Sequence, residues 1–234
     1  SFFSKYILKN VTGWIATSKQ IESDLKGHNI KDEFIHKIYN GIDIDEVRIN
    51  KFRKNKTFLV VGRIEVDKMC DQIIRVFSKL PENLNVKLIF LGDGQLKSNL
   101  MKMTNKLNQS HRIFFKGMVN NINEYIVNSD FYVSASNTEG MSNALLESMA
   151  LGIPAIASKI SGVDEMVFDK KNGFVFASND EKIFYEKIVN AINCSEEKYL
   201  DMSRLASEHI LKNFPIQLIA KKHIELYSSF IKSN

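Results

Sequence analysis

From Thr57 onward, short unbroken apolar runs alternate with longer stretches of helical periodicity, and this alternation limits the folds open to the chain. TFLVVG (57–62), VKLIFLG (86–92), RIFFKG (112–117), FYVSAS (131–136), PAIAS (154–158) and GFVFA (173–177) read as strands. None alternates apolar with polar, so each is expected to be covered on both faces. Helical patterns lie between them near 69–80, 94–108, 122–129, 143–151 and 163–168, and three more follow at 180–193, 196–213 and 216–232. Strand and helix in turn predict an α/β fold with a doubly wound parallel sheet. A different unit comes first: GWIATS as a strand, SKQIESDLKG as a helix opened by Ser18 and closed by Gly27, and FIHKIYNG as a second strand. One βαβ unit cannot cover its own sheet. Residues 1–47 are therefore expected to be the tail of another domain, 48–56 a linker, 57–214 the main lobe and 215–234 a last helix.

A length of 234 residues suits one large α/β domain with a piece of a second. No apolar stretch approaches the roughly 18 to 20 residues of a membrane helix, and SFFSKYILKN lacks a leader pattern, so a cytoplasmic protein is expected. Cys70 and Cys194 stand far apart in no metal-binding or redox pattern and read as reduced packing residues. The five histidines (His28, His36, His111, His209, His223) include no pair at ligand spacing, so no metal site is expected. The net charge of +5 is concentrated near the front, including KFRKNK (51–56), which reads as a solvated linker. A nucleic-acid-binding domain would carry its basic stripe on the folded body. Attraction of this cluster to an acidic membrane surface is the minority alternative.

Ligands of doubly wound sheets sit at the carboxyl ends of strands, near helix N-termini. Three strand-to-helix junctions stand out: VGRIEVDK, LGDGQLK and SASNTEGMSNALLE. In the last, Glu147 interrupts an otherwise apolar helix, and an unpaired buried carboxylate is costly unless it has a partner or a task. On a single helix Glu139 and Glu147 would be about 12 Å apart. With Ser142 or Asn143 as N-cap, Glu139 falls in the preceding loop and Glu147 about one turn in, so both flank one helix N-terminus. The free N–H groups there can seat a diphosphate, and the carboxylates suit neighbouring hydroxyls, as a sugar nucleotide would require. Complementing the helix dipole is explanation enough for Glu139 but not for Glu147. Gly62 ends the first strand of the main lobe, with Arg63 at its carboxyl end and Lys68 at the start of the next helix. Both cations could bind phosphate and stabilise a departing diphosphate. GDGQLK (92–97) lacks the third glycine of a dinucleotide fingerprint, and DID (43–45) reads as turn chemistry rather than a metal motif. No Walker loop or Ser-His-Asp pattern is present.

Together, YNGID, VGRIEVDK as G-R-x-x-x-x-K, LGDG, FFKGMV and EGMSNALLE as E-x7-E, followed by SMALGIPAIAS, resemble the retaining group 1 (family 4) glycosyltransferases of GT-B fold, over essentially the whole chain. The resemblance implies a Rossmann-like carboxyl-terminal lobe that binds a nucleoside-diphosphate sugar, preceded by a βαβ remnant of the acceptor lobe and followed by a helix crossing back to it. It implies that Gly62, Arg63 and Lys68 surround the diphosphate without a metal or other cofactor. Met141, Ser142, Asn143 and Ala144 would contact the donor, chiefly through backbone N–H groups. Glu147 would hold the ribose, Val119 would lie against the base, and Glu139 would act at the sugar as the catalytic carboxylate. The implied activity is hexosyl transfer with retention of configuration, from a UDP-sugar in preference to a GDP-sugar, to a glycan or lipid-linked acceptor bound by the other lobe. This chain alone would be inactive or nearly so. Contact with the inner membrane face is compatible with such an acceptor. Met69, Ser142 and Val163 stand where the family usually has glycine. Two further functions compete: a non-catalytic sugar-nucleotide-binding subunit or sensor, and a sugar-nucleotide epimerase, which would call for extra acids or histidines in the cleft.

Overall fold

The computed structural model describes residues 11–232. SFFSKYILKN, where no leader pattern was read, lies outside the described residues, as do the last two residues of the final segment. A small parallel unit comes first: β1 (Trp14–Ala16), α1 (Lys19–Gly27) and β2 (Ile35–Lys37). Ser18 caps α1 by accepting from the Ile21 N–H at 3.2 Å. Gly27 is the last residue of α1 rather than the turn beyond it, and the positive φ of 61° falls on Asn29.

The main lobe carries β3 (Lys56–Val61), α2 (Cys70–Ser78), β4 (Val86–Leu91), α3 (Lys97–Lys106), β5 (Ile113–Gly117), α4 (Ile122–Val127) and β6 (Phe131–Ser134). It continues with α5 (Asn143–Ala150), β7 (Ala155–Ser158), β8 (Gly173–Phe176), α6 (Glu181–Ile192), α7 (Glu196–Asn213) and α8 (Ile216–Lys232). Six of its strands form one all-parallel sheet in the order β5-β4-β3-β6-β7-β8. Both faces are buried, as the unbroken apolar runs require. Along β3, Phe58 packs to one side with Ile73 and Phe77 of α2, and Leu59 to the other with Leu145 and Met149 of α5. On β6, Phe131 and Tyr132 divide between the same two layers. Since the sheet grows outward from β3 through β4 and β5, then resumes on the other side of β3 with β6, a crevice opens at the carboxyl ends of β3 and β6.

Two segments differ from expectation. The helix expected over 163–168 is a run of turns over 161–166. Gly162, at φ +78°, lies so close to the Gly140 carbonyl that a Cβ would overlap it, and the chain bends there instead of coiling. Val163, Met166 and Val167 are buried by this bend, so an i, i+3, i+4 apolar spacing arises without a helix. The KFRKNK stretch is partly packed rather than solvated. Lys56 is 1% exposed, with its Nζ 3.7 Å from the centre of the Phe52 ring, and Phe52 meets Tyr199 edge-on. Just before it, the Asn50 N–H donates to Ser203 Oγ at 2.7 Å and the Arg48 N–H to Ser207 Oγ at 2.9 Å. The stretch from Arg48 to Lys56 is thus strapped to α7.

Candidate functional site

The loops after β3 and β4 are joined backbone to backbone. The Gly62 N–H donates to the Leu91 carbonyl at 3.0 Å and the Ile64 N–H to the Asp93 carbonyl at 2.8 Å. A Cβ on Gly92 would overlap the Gly62 carbonyl oxygen, and one on Gly94 would overlap that of Ile64. The glycines of LGDG therefore serve this close approach. They hold the β3 loop in place at the crevice.

Arg63 follows, exposed and without an ion-pair or hydrogen-bond partner among the described residues. A short 3-10 turn, Val66–Lys68, carries the chain to Met69, whose left-handed backbone (φ 49°) replaces the family glycine and starts α2. The Asp67 carbonyl in that turn accepts from the Asn137 N–H at 2.9 Å, tying the loop after β3 to the loop after β6. Across this junction Lys68 Nζ is bonded to Glu139 Oε1, with the Asp67 carboxylate 3.7 Å away. Both side chains are largely withdrawn from solvent, at 19% and 17% exposure.

α5 begins where the capping chemistry placed it. Ser142 is its N-cap and accepts from the Leu145 N–H at 3.4 Å. The N–H groups of Asn143 and Ala144, at the start of the helix, have no carbonyl within α5 to bond. Asn40, in the segment after β2, donates to Asn143 Oδ1 at 2.7 Å and to the Met141 carbonyl at 3.4 Å, bracing this end of the helix. Glu147 lies one turn in. It is half-buried rather than buried, has no hydrogen-bond or ion-pair partner among the described residues, and burial raises its carboxyl pKa. It opens on a cavity of about 450 Å³ shared with Tyr39, Asn40, Gly41, Asn143 and His223.

The structure thus joins Lys68 to Glu139 directly, with Arg63 on the same β3 loop, and brings Ser142, Asn143, Ala144 and Glu147 along one helix end beside them. The Met141 side chain does not face the crevice but packs in the core. Val119 is half-buried against the same cluster, and its neighbour Met118 is 84% exposed. Two further side chains at this junction were not singled out from the sequence. Tyr132 is buried on β6 and its phenol pKa is pushed up, by burial first and also by Glu139 and Glu147, while the Ser142 hydroxyl faces it. Its signal was a hydroxyl inside an otherwise apolar strand, a group that normally needs a partner when buried. Asn40 was legible only as part of the YNGID motif.

A second cavity, of about 480 Å³, lies at the opposite end of the sheet between the DID turn, Arg48, Lys51 and Val127. Among the described residues, no three His, Cys, Asp or Glu side chains form a cluster able to hold a metal ion.

Comparison with known proteins agrees with this fold. Residues 42–209 match the family described as glycosyl transferases group 1. The chain is 30% identical over 213 residues to an uncharacterised glycosyltransferase of Haemophilus influenzae, covering 87% of this chain and 59% of that protein. It is 28% identical over 171 residues to the Campylobacter jejuni N-acetylgalactosamine-N,N'-diacetylbacillosaminyl-diphospho-undecaprenol 4-alpha-N-acetylgalactosaminyltransferase, covering 71% of this chain and 46% of that one. Among solved structures, a mutant of S. aureus TarM in complex with fondaparinux, alpha-GlcNAc-glycerol and UDP superposes with a TM-score of 0.87 at 23% identity, over 97% of this chain and 46% of that one. Anabaena HepE in complex with UDP-glucose gives 0.83 at 20% identity, over 94% and 64%. The neighbours' shared fold is GT-B. The chain spans about half the length of the curated relatives it matches. With the family matched across most of its length, this chain belongs to the group 1 glycosyl transferases.

Proposed function

We propose that the chain is the donor-binding half of a retaining glycosyltransferase, taking a sugar from a nucleoside-diphosphate sugar. The observation that carries this is at the switch point, where the loops that follow β3 and β6 are joined by the Lys68–Glu139 pair, with Arg63 on the first loop, the N-terminus of α5 closing the second, and Glu147, without a partner among the described residues, one turn into α5. Arg63, Lys68 and the first N–H groups of α5 would bind the diphosphate and stabilise the charge it gains as it leaves, without a metal. Glu147 would accept from the ribose hydroxyls and Glu139 from the donor sugar. Val119 would lie near the base, with Gly62 and Met141 contributing backbone only. A UDP-sugar is favoured over a GDP-sugar because TarM and HepE were solved with UDP or UDP-glucose.

The acceptor would be a glycan or a lipid-linked saccharide, a class supported by the undecaprenol-linked substrate in the C. jejuni relative's name. It would be met at the inner face of the membrane. No helix among the described residues is long and apolar enough to cross one. As the chain covers about half the length of its relatives, by itself it would bind donor and transfer sugar poorly. Titration calorimetry with UDP, GDP and ADP tests the proposal. One nucleotide should bind best, EDTA should change little, and Arg63→Ala or Glu147→Ala should each weaken binding at least tenfold, about 1.4 kcal/mol. Equal or absent binding of all three would refute it.

A further inference from the structure

The bond between Lys68 and Glu139 has a consequence for which ligands the site accepts. Resting on the donor-site proposal, we infer that Glu139 makes the site discriminate against a bare nucleoside diphosphate and in favour of the same nucleotide carrying its sugar. Of the two cations on the β3 loop, Arg63 is free among the described residues, whereas Lys68 is committed to Glu139, with both partners mostly out of water. The two loops that carry them are fastened through the Asp67 carbonyl and the Asn137 N–H, and Gly140, next to Glu139, abuts Ile21 of α1 and leaves the loop little room to retreat. An anion cannot simply add to this pair. It either sits against the Glu139 carboxylate, a like charge, or draws Lys68 away and leaves that carboxylate without a donor in a poorly hydrated place.

A sugar nucleotide avoids this penalty. Its phosphates take Lys68 while its sugar hydroxyls donate to the released carboxylate, so both halves of the broken bond are satisfied. A nucleoside diphosphate satisfies only one half. The bond therefore weakens the site's hold on the leaving group once the sugar has gone, which favours product release and exchange for fresh donor. Among the described residues, the one side-chain bond that Glu139 makes is to Lys68, so the loss of Lys68 removes its present donor.

Calorimetry on the full 234-residue chain tests this, using the best-bound of UDP, GDP and ADP and the corresponding nucleotide-glucose. Glu139→Gln and Glu139→Ala should both bind the bare nucleotide at least fivefold more tightly than the parent, and the ratio of sugar-nucleotide to nucleotide affinity should fall. Thermal melts of both variants check folding, and two substitutions of different size guard against a local packing artefact. Unchanged or weaker nucleotide binding in the folded variants, with the parent binding normally, would overturn the gate and leave the donor site standing. Absence of binding by parent and variants alike would remove the donor site and the gate together.

Discussion

Glu147 is a carboxylate held half out of water with no ion-pair or hydrogen-bond partner among the described residues to offset its charge. Burial raises its pKa above the ordinary 4.5, so between that value and its native pKa the folded chain binds more protons than the unfolded one. Stability should therefore fall as pH rises through that window and stay lowered above it. Glu147→Gln removes the penalty. Its melting temperature at pH 7 should exceed the parent's, and the gap should close as pH drops below about 4.5, where both side chains are neutral. Melts between pH 4 and pH 8 check this, and a lower melting temperature for the variant at pH 7 would reveal a stabilising partner. Stability gained this way should come with a loss of nucleotide affinity, in the direction expected for Glu147→Ala. The residue was conspicuous in the sequence because it broke an apolar run, but its degree of burial was not legible. Which side of α5 meets the segment after β2 is decided by Asn40 and Asn143, 103 positions apart.

The elements themselves were nearly all readable, because a strand buried on both faces must be apolar throughout and a helix start needs a cap. What periodicity could not show is how loops fit against loops. The sequence of GDGQLK argued against a dinucleotide fingerprint but gave Gly92 no other task, and its φ of +130° and its contact with the Gly62 carbonyl make it the joint between the β3 and β4 loops. Gly92→Ala combines a disfavoured backbone with a steric overlap and should cost about 2 kcal/mol or more in urea denaturation. Gly27→Ala is the contrast. Its Cβ would meet nothing within 4 Å among the described residues at the last position of α1, so it should be neutral or stabilise by up to about 1 kcal/mol. Similar costs for the two would show that the loop contact is not needed. The turns over 161–166 illustrate the same limit, since the bend at Gly162 is imposed by Gly140, a residue the apolar spacing could not sense.

The small βαβ unit is fastened to the main lobe at a few polar points. The first N–H of α1, from Lys19, donates to Glu165 Oε1 at 2.8 Å, and the Ser18 and Ser161 hydroxyls are 2.5 Å apart. Farther along, Ile42 pairs with the chain on both sides of Pro215, accepting from the Ile216 N–H and donating to the Phe214 carbonyl, each at 2.9 Å. Glu165 is 8% exposed, and such charge-assisted bonds to a helix N-terminus contribute about 1.5 to 3 kcal/mol. Glu165→Ala should accordingly speed hydrogen exchange in α1 and β2 at least tenfold while leaving β3, β4 and β6 protected as before. Uniform acceleration across the main sheet would instead make Glu165 a general core residue. Glu165→Gln should fall between the two, retaining an acceptor without the charge.

Local patterns were enough for the parallel doubly wound sheet, the cap of α5 and the residue types at the crevice, because each depends on neighbours a few positions away in the chain. Folding alone settled which of those residues meet. Lys68 and Glu139 are 71 positions apart, and their bond exists because β6 inserts beside β3 after the chain has built β4 and β5 on the other side. The docked strap from Arg48 to Lys56, the core position of Met141 and the hydroxyl of Tyr132 beneath the α5 cap are likewise products of long-range packing. No window of adjacent residues contains both partners of such contacts.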